Sequence, residues 1–535
     1  MAGAWRRCVA PSRHALRKGE PGRETLTRPP LAFPRARAGT GRLTASPSHT
    51  ERPLNRLHRV LSAGQLFALG FGGIVGVGWV IGLGEWLGLA GPVGAIVAFV
   101  LGGAITVLVG CCYAELLGLL PACGGEIAYA YDILGGGASF AVGWLLVLAN
   151  VVTLVFEALG MTWIVATLIP AVGSMPLYTL AGYTIGVGDL ALGIGGMLLM
   201  AWINVAGLQF AARLQDTLTL AKVALVTIVV AVGLSAMSPA RLDPLFGPHP
   251  STWLGVRGVL ISVPFWLSGF ANVAQVAAEA DARVTPRKMG LALIWSIVAA
   301  AAFYVLLIVA CAGLLPRAEL LALELPAAQV FDHRFGSMSL TRIVLIVALL
   351  GNLTVWNSTL IATSRVVYTL ARAGLMPASL ARVHARRGTP AVAIICMSAI
   401  ASVGVLLGKE AIAPVVNVAS TCFAIVGAVV CALVLVLRHR DPAMPRPFRV
   451  PGGVTLAWVA LLSSIGLIVV SLASPTGVFG GVPLEWLILS VWVLGGAVLW
   501  ARLRQSQAAL SEPQRRALIL GAERDRLATI LPDVT

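Results

Sequence analysis

GFGGIVGVGWVIGLG, Gly70 to Gly84, decides how this chain is read. It lies inside a long apolar run, where a membrane-crossing helix is expected, yet seven of its fifteen residues are glycine. Glycine loses more backbone freedom on entering a helix than any other residue and ranks near the bottom in helix propensity. The surroundings leave no doubt about lipid. Of 535 residues, 58% are hydrophobic and 12% charged, and the mean hydropathy is +0.88. Soluble globular chains do not reach such values. The chain reads as an all-α polytopic membrane protein, with a glycine-rich interruption in its first span.

The apolar runs predict about twelve spans. They lie at roughly 65–87, 93–119, 139–169, 189–208, 216–237, 255–278, 291–314, 342–371, 390–407, 412–437, 454–473 and 484–503. The formal net charge is +16. The basic residues fall in the tails and in alternate loops, as membrane orientation requires, and not in one patch. No nucleic-acid partner is expected; the partners are the lipid bilayer and a small molecule. One set of loops carries Arg213, Arg283, Arg287, Lys288, Arg372, Arg382, Arg386, Arg387, Arg438, Arg440, Arg446 and Arg449. The opposite set is poorer, holding Arg241, Arg257, Arg317, Arg334 and Lys409. The first set is expected in the cytoplasm with both termini, and the membrane is expected to be the cell membrane. Residues 1–58 are Arg- and Pro-rich and hold no apolar stretch for a secretory signal. They read as a disordered cytosolic tail, a transit peptide or an upstream extension of the true start.

Several functions are disfavoured by what the sequence lacks. No GxxxxGK[ST] pattern is present, so transport driven by bound ATP is not expected. The eight cysteines show no zinc spacing, and no His, Cys or carboxylate constellation suggests an enzyme, a metal or a cofactor.

A second interrupted span is ISVPFWLSGFANVAQ, Ile261 to Gln275, with Pro264 and Gly269 at its centre. Proline removes a backbone donor, and bare backbone at membrane depth is tolerated only against protein or a water-filled cavity. Two interrupted spans five helices apart point to an inverted-repeat secondary transporter. The alternative for any one glycine is close helix packing.

GGIVGVGWV, Gly72 to Val80, resembles the GxIIGxGxF segment of the amino acid–polyamine–organocation permeases. YAELLGLLPACGGEIAYAY, Tyr113 to Tyr131, resembles that superfamily's second-span exit. INVAGLQFAARLQDTLTLAK (203–222), PFWLSGFANVAQVAAEA (264–280) with TPRKMG (285–290), and SRVVYTLARAGLMPASLARVHARRGTP (364–390) are similar to its later signatures, in the same order. The resemblance implies a five-plus-five inverted repeat of the leucine-transporter type over about 59–440, with broken helices one and six. Two added helices would follow over 441–503, then a cytoplasmic tail over 504–535.

The resemblance also implies a substrate site at the two breaks. A substrate carboxylate would meet the N–H groups of Val77 and Gly78, beside Gly76, because a helix N-terminus has free donors and partial positive charge. The ammonium would face the Ile74 carbonyl and those near Phe265 and Ser268, with Gly269 allowing close approach. Phe265 matches the substrate-capping aromatic, with Trp266 as its neighbour and competitor. Lys222 falls where sodium-independent relatives place a lysine in the position of a sodium ion. It is expected to couple a proton or stand in for a cation; the alternative is snorkelling to the cytoplasmic face. Glu157 is read from the residues alone: an acid at membrane depth is costly and usually functional. It contacts substrate, relays a proton or pairs with a neighbour. Glu115, Glu279 and Arg365 read as inner-gate or snorkelled residues. Ala271 and Ala149 replace acids common in the family, which favours neutral or apolar substrates. The expected function is amino acid transport by alternating access, proton-coupled or exchange-driven and independent of sodium. An organocation carrier of polyamine or ethanolamine type, a transporter-like sensor and a channel are the alternatives.

Overall fold

Ser62 opens the first helix. Its hydroxyl accepts the Gln65 N–H at 3.2 Å, and Gln65 Oε1 accepts the Ser62 N–H at 3.0 Å, a reciprocal cap. That helix, α1 (Ala63–Ile74), ends in the glycine-rich stretch, and α2 (Gly78–Leu119) begins after three intervening residues. The computed structural model describes residues 59–173, 175–180, 183–408, 412–479, 481–503, 507 and 510–520. The expected tail at 1–58 lies outside the described residues, as does most of that at 504–535.

The spans expected at 65–87 and 93–119 are joined without a loop. The chain turns a corner inside α2 at Gly91, with φ +70° and ψ 175°. A Cβ there would lie 2.5 Å from the Phe246 carbonyl carbon, so the corner needs glycine for its dihedral and for its clearance. Pro92 follows, at a position where the first turn of a new helix has no use for an N–H.

Short α3 (Glu126–Leu134) leads into α4 (Gly136–Leu168). A hairpin of β1 (Pro176–Leu180) and antiparallel β2 (Tyr183–Gly186) precedes α5 (Val187–Ala206) and α6 (Leu208–Ala236). The second interrupted span is a chain of short turns: α7 (Thr252–Leu260), α8 (Val263–Trp266), a 3-10 turn at Ser268–Phe270, and α9 (Ala271–Gln275). Then come α10 (Pro286–Ala312), α11 (Arg317–Leu321), α12 (Pro326–Phe335), α13 (Met338–Arg372), α14 (Ala391–Gly404) and α15 (Ile412–Arg440). The chain continues through α16 (Gly453–Leu472), the small pair β3 (Val478–Phe479) and β4 (Val482–Pro483), and α17 (Leu484–Arg502).

Among the described residues, ten helical stretches are long and apolar enough to cross a membrane, with α1 and Ala391–Leu407 as shorter apolar helices. Helix α4 is largely enclosed by its neighbours, whereas α16 and α17 present most of their surface outward. Their outward residues are apolar, among them Leu462, Val469, Val491 and Leu494, as a lipid-facing surface requires.

The two interrupted spans meet backbone to backbone. A Cβ on Gly269 would collide with the carbonyl carbon and oxygen of Gly73 and the nitrogen of Ile74. Helix α13 crosses the same point: a Cβ on Gly351 would lie 2.7 Å from the Gly76 carbonyl oxygen. Glycine on three elements lets three backbones converge where the first helix breaks.

Candidate functional site

Val75, Gly76 and Val77 form the break. Val75 caps α1 with φ −87° and ψ 86°, and Val77 precedes the first turn of α2. A helix that stops here turns its last carbonyls, and the next helix its first N–H groups, toward one small volume.

Lys222 of α6 reaches into that volume. It is 1% exposed, and its ammonium donates to the Val75 carbonyl at 2.6 Å and to Thr354 Oγ1 of α13 at 2.7 Å. Thr354 Oγ1 in turn donates to the Gly351 carbonyl at 2.7 Å. The Phe71 ring centroid lies 5.6 Å from the ammonium nitrogen. The lysine therefore points into the bundle and does not snorkel.

Glu157 of α4 also reaches the break and is 3% exposed. Its carboxylate faces the Val77 N–H and interacts with the Lys222 charge. A Cβ on Gly76 would lie 2.6 Å from Glu157 Oε1, so glycine is what lets the acid reach the break. Glu157 Oε2 is buried with no hydrogen-bond partner in the protein. Its main-chain carbonyl accepts Asn352 Nδ2 at 2.6 Å, tying α4 to α13.

Aromatic rings close the space beyond Gly78. The Trp266 indole lies directly over Gly78, where any Cβ would strike it, and donates through Nε1 to Ser262 Oγ at 2.9 Å. Trp266 meets Trp86 at 5.4 Å and Phe156 at 5.6 Å between centroids. Phe265 sits one place further back, edge-on to Phe156 at 5.3 Å. The Ile74 carbonyl accepts the Gly76 N–H at 3.1 Å and the Tyr304 hydroxyl at 3.4 Å. Ser268 is half-buried, and its hydroxyl turns back to the Phe265 carbonyl at 2.9 Å.

The structure thus gathers Ile74, Gly76, Val77, Gly78, Glu157, Lys222 and Gly269 at one point. It places Trp266 over Gly78 with Phe265 behind it, and Ser268 is engaged within its own turn. Sequence reading missed Gly351, Asn352 and Thr354 of α13, and Tyr304 of α10. A signal for the first three was present: GNLTVWNST (351–359) carries five polar side chains in an apolar helix. The same helix sends Asn357 to Gln215 Oε1 at 3.0 Å and Ser358 to the Leu69 carbonyl at 2.8 Å.

Toward the Arg-rich loops the helices are tied together by buried ion pairs. Arg365 Nε lies 2.7 Å from Glu279 Oε1, both side chains being 1% exposed. Glu115 accepts Arg438 Nε at 2.9 Å and the Val450 N–H at 2.8 Å, with Arg446 Nε at 3.1 Å. None of these acids snorkels.

A sequence profile described as amino acid permease matches residues 61–497. The branched-chain amino acid permease BcaP of Bacillus subtilis (strain 168) is 26% identical, over 85% of this chain and 95% of its own length. The methylthioribose transporter of the same organism is also 26% identical over those same shares. The Asc-type amino acid transporter 1 of Homo sapiens is 28% identical, over 73% of this chain and 74% of its own length.

Proposed function

The chain belongs to the amino acid permease family, and on that premise we propose that it carries a neutral amino acid across the cell membrane by proton-linked, sodium-independent alternating access. The observation that carries this reading is the Lys222 ammonium bridging the Val75 carbonyl and the Thr354 hydroxyl, with Glu157 at the same break. Two oxygens at a helix break make a seat for a monovalent cation, and here a fixed ammonium occupies it.

The arrangement supports a specific order of events. Substrate carboxylate takes the N–H groups of Val77 and Gly78, which requires Glu157 to withdraw from Val77 and Trp266 to lift from Gly78. Two carboxylates at one helix N-terminus repel, so Glu157 accepts a proton as substrate enters. The substrate ammonium takes the carbonyls of Ile74, Phe265 and Ser268. Proton and substrate then cross together, and Lys222 holds the α1 end of the break in register or passes the proton on. Aromatic walls from Phe156, Phe265 and Trp266, with no charge among them, suit an apolar substrate side chain. BcaP, named for branched-chain amino acids, agrees with that preference.

The wider frame belongs to the same proposal. It comprises about twelve spans, a five-plus-five inverted repeat over about 59–440, two added helices over 441–503, and flanking tails at 1–58 and 504–535. The Arg-rich face is cytoplasmic, with both termini on that side.

Radiolabelled uptake into proteoliposomes, across a panel of amino acids and with and without an inward proton gradient, tests the reading. Gradient-stimulated uptake of an apolar amino acid that survives replacement of sodium is expected. Lys222→Met and Glu157→Gln should each flatten the pH dependence. Unchanged pH profiles in both variants would refute the coupling, and no saturable uptake of any amino acid would refute the function.

A second reading has its own observation. Glu157 already supplies an anion at Val77, so a solute without a carboxylate, such as an organic amine, would leave that contact intact. The methylthioribose transporter is a relative whose named solute is not an amino acid. Competition of uptake by an amino acid against its decarboxylated amine separates the two readings.

A further inference from the structure

A second buried acid lies away from the break, on a segment that precedes α4. Glu126, the first residue of α3, is fully buried. Its Oε1 accepts Gln275 Nε2, from the last residue of α9, at 3.3 Å. Its Oε2 has no hydrogen-bond partner in the protein, and neither has Gln275 Oε1 or the Tyr129 hydroxyl. Buried polar atoms are ordinarily paired, so three orphans in one cluster call for a cause.

The cluster joins two segments that alternating access would separate. Gln275 ends the second interrupted span, and its main-chain carbonyl accepts the Gly124 N–H at 2.9 Å. Gly125, with φ +42°, packs against the Ala274 carbonyl at a distance that no Cβ would tolerate without a shift. The 124–126 turn therefore grips the end of α9, which must let go whenever the bundle opens on the Arg-rich face.

One proton accounts for the two orphans of the acid and the amide. A carboxylic acid on Glu126 has a hydrogen to donate through Oε2 while Oε1 still accepts from Gln275. The amide already donates through Nε2 while its Oε1 lacks a donor, and a proton on Glu126 Oε2 supplies one. An ionised Glu126 leaves Oε2 and Gln275 Oε1, two acceptors, without a donor in a buried site.

We infer that Glu126 is a proton-binding site distinct from Glu157 and Lys222, and that its protonated form latches α9 to the 124–126 turn and holds the Arg-rich face closed. The proton comes from water on that face and returns to it on opening; no other group changes. The inference rests on the alternating-access reading above.

The surroundings are consistent. The groups facing Glu126 are the Tyr113 phenol, which interacts with its carboxyl as a donor, the Tyr129 phenol and the Gln275 amide, with the Cys431 thiol of α15 beyond Tyr113. None is a cation. From α4, Ser139 Oγ donates to the Ile127 carbonyl at 2.9 Å. The charged groups touching α3 engage its far end: Arg440 binds the Ile133 carbonyl, Arg516 pairs with Asp132, Glu512 accepts the Tyr131 hydroxyl, and Arg515 lies beside that hydroxyl. Burial pushes the Glu126 carboxyl from its ordinary 4.5 up to about 7.

The sign follows. The closed state binds the proton more tightly than an open state with hydrated Glu126. Closure is therefore favoured in full below the ordinary carboxylate range, and the advantage is lost as pH rises through about 7. Between about pH 7.5 and about pH 6, the closed-to-open ratio rises about eightfold.

Substrate exchange across proteoliposomes, with the external pH fixed and the pH on the Arg-rich side varied, tests this. Wild type is expected to exchange several-fold faster at the higher pH. Glu126→Gln, whose amide copies the neutral acid's donor and acceptor, should be slow and flat across that range. A Glu126→Gln profile identical to wild type overturns the inference. Should that variant fail to fold, hydrogen exchange on the wild-type chain decides. After correction for the intrinsic rate, the Gly124 N–H should be several-fold better protected at about pH 6 than at about pH 7.5, and equal protection overturns the inference. Hydrogen exchange reads the latch without transport, so its failure is distinct from failure of the transport assignment.

Discussion

Glu279→Gln should open the Arg-rich face of the bundle. In the wild-type protein Arg365 of α13 holds Glu279 through two contacts, Nε to Oε1 at 2.7 Å and Nη2 to Oε2 at 3.2 Å. Arg365 also binds Ser364 Oγ at 2.9 Å and the Ile361 carbonyl at 3.3 Å, so its guanidinium is committed to this spot. The Glu279 main chain carries a second load: its carbonyl accepts the N–H groups of Val60 and Leu61 at 2.9 and 3.0 Å, and the Asp281 N–H returns to the Leu61 carbonyl at 2.8 Å. One ion pair thus ties α13 to the exit of the second broken span and to the entry of the first. Glutamine keeps one acceptor but removes the charge, leaving a guanidinium buried and unpaired. Breaking a buried pair from one side costs about 3–5 kcal/mol, and the retained hydrogen bond argues for about 3. An open state hydrates Arg365 and escapes that cost, so the equilibrium should move toward opening by roughly 10²-fold.

Labelling by an impermeant maleimide of a cysteine placed at Ala277, which is fully buried here, measures that shift. The rate should rise by on the order of 10²-fold in Glu279→Gln, against the parent chain as baseline. The double variant Arg365→Met with Glu279→Leu removes both charges and should fall back toward the parent rate, since apolar replacement of a buried pair is often neutral or stabilising. Equal labelling in parent and single variant, or a double variant as fast as the single, would refute the reasoning.

Three further outcomes follow from the same geometry. Gly269→Ala sets a methyl group into the Gly73 backbone, where no side chain can yield; it should cost about 1–3 kcal/mol in thermal unfolding and abolish uptake. Thr354→Val removes the hydroxyl that receives Lys222 and keeps the shape; the loss of a hydrogen bond to a charged group, about 1.5–3 kcal/mol, should move the midpoint of pH-dependent uptake more than its maximum. Trp266→Leu uncovers Gly78, whereas Phe265→Leu does not. The first should change the concentration for half-maximal uptake by about tenfold or more, and the second by less, in a direct comparison of the two variants.

The amino acid order by itself determined the class and the place to look. Apolar runs of membrane length cannot be read as anything but spans, and glycine or proline at mid-span marks backbone that something else must satisfy. Gly72–Gly78 and Pro264–Gly269 announced both interruptions for that reason. Lys222 and Glu157 were equally visible, because a charge within an apolar run is costly and needs a partner.

Tertiary structure alone decided who meets whom. Thr354 is 132 residues from Lys222, and Asn352 is 195 residues from Glu157; no local pattern links them. The short turns of the second interrupted span, and not residue type, put Trp266 over Gly78 and Phe265 behind it, since successive ring positions differ by about 100° on a helix. Glu157 at the Val77 N–H depends on the absent Cβ of Gly76 as much as on the acid itself. Glu126 sat unremarked beside a glycine pair that read as a connection between spans; only folding brought Gln275 against it and buried both. Charge and periodicity are properties of a residue and its neighbours in order. Pairing is a property of neighbours in space, and in a bundle of broken helices those come from every part of the chain.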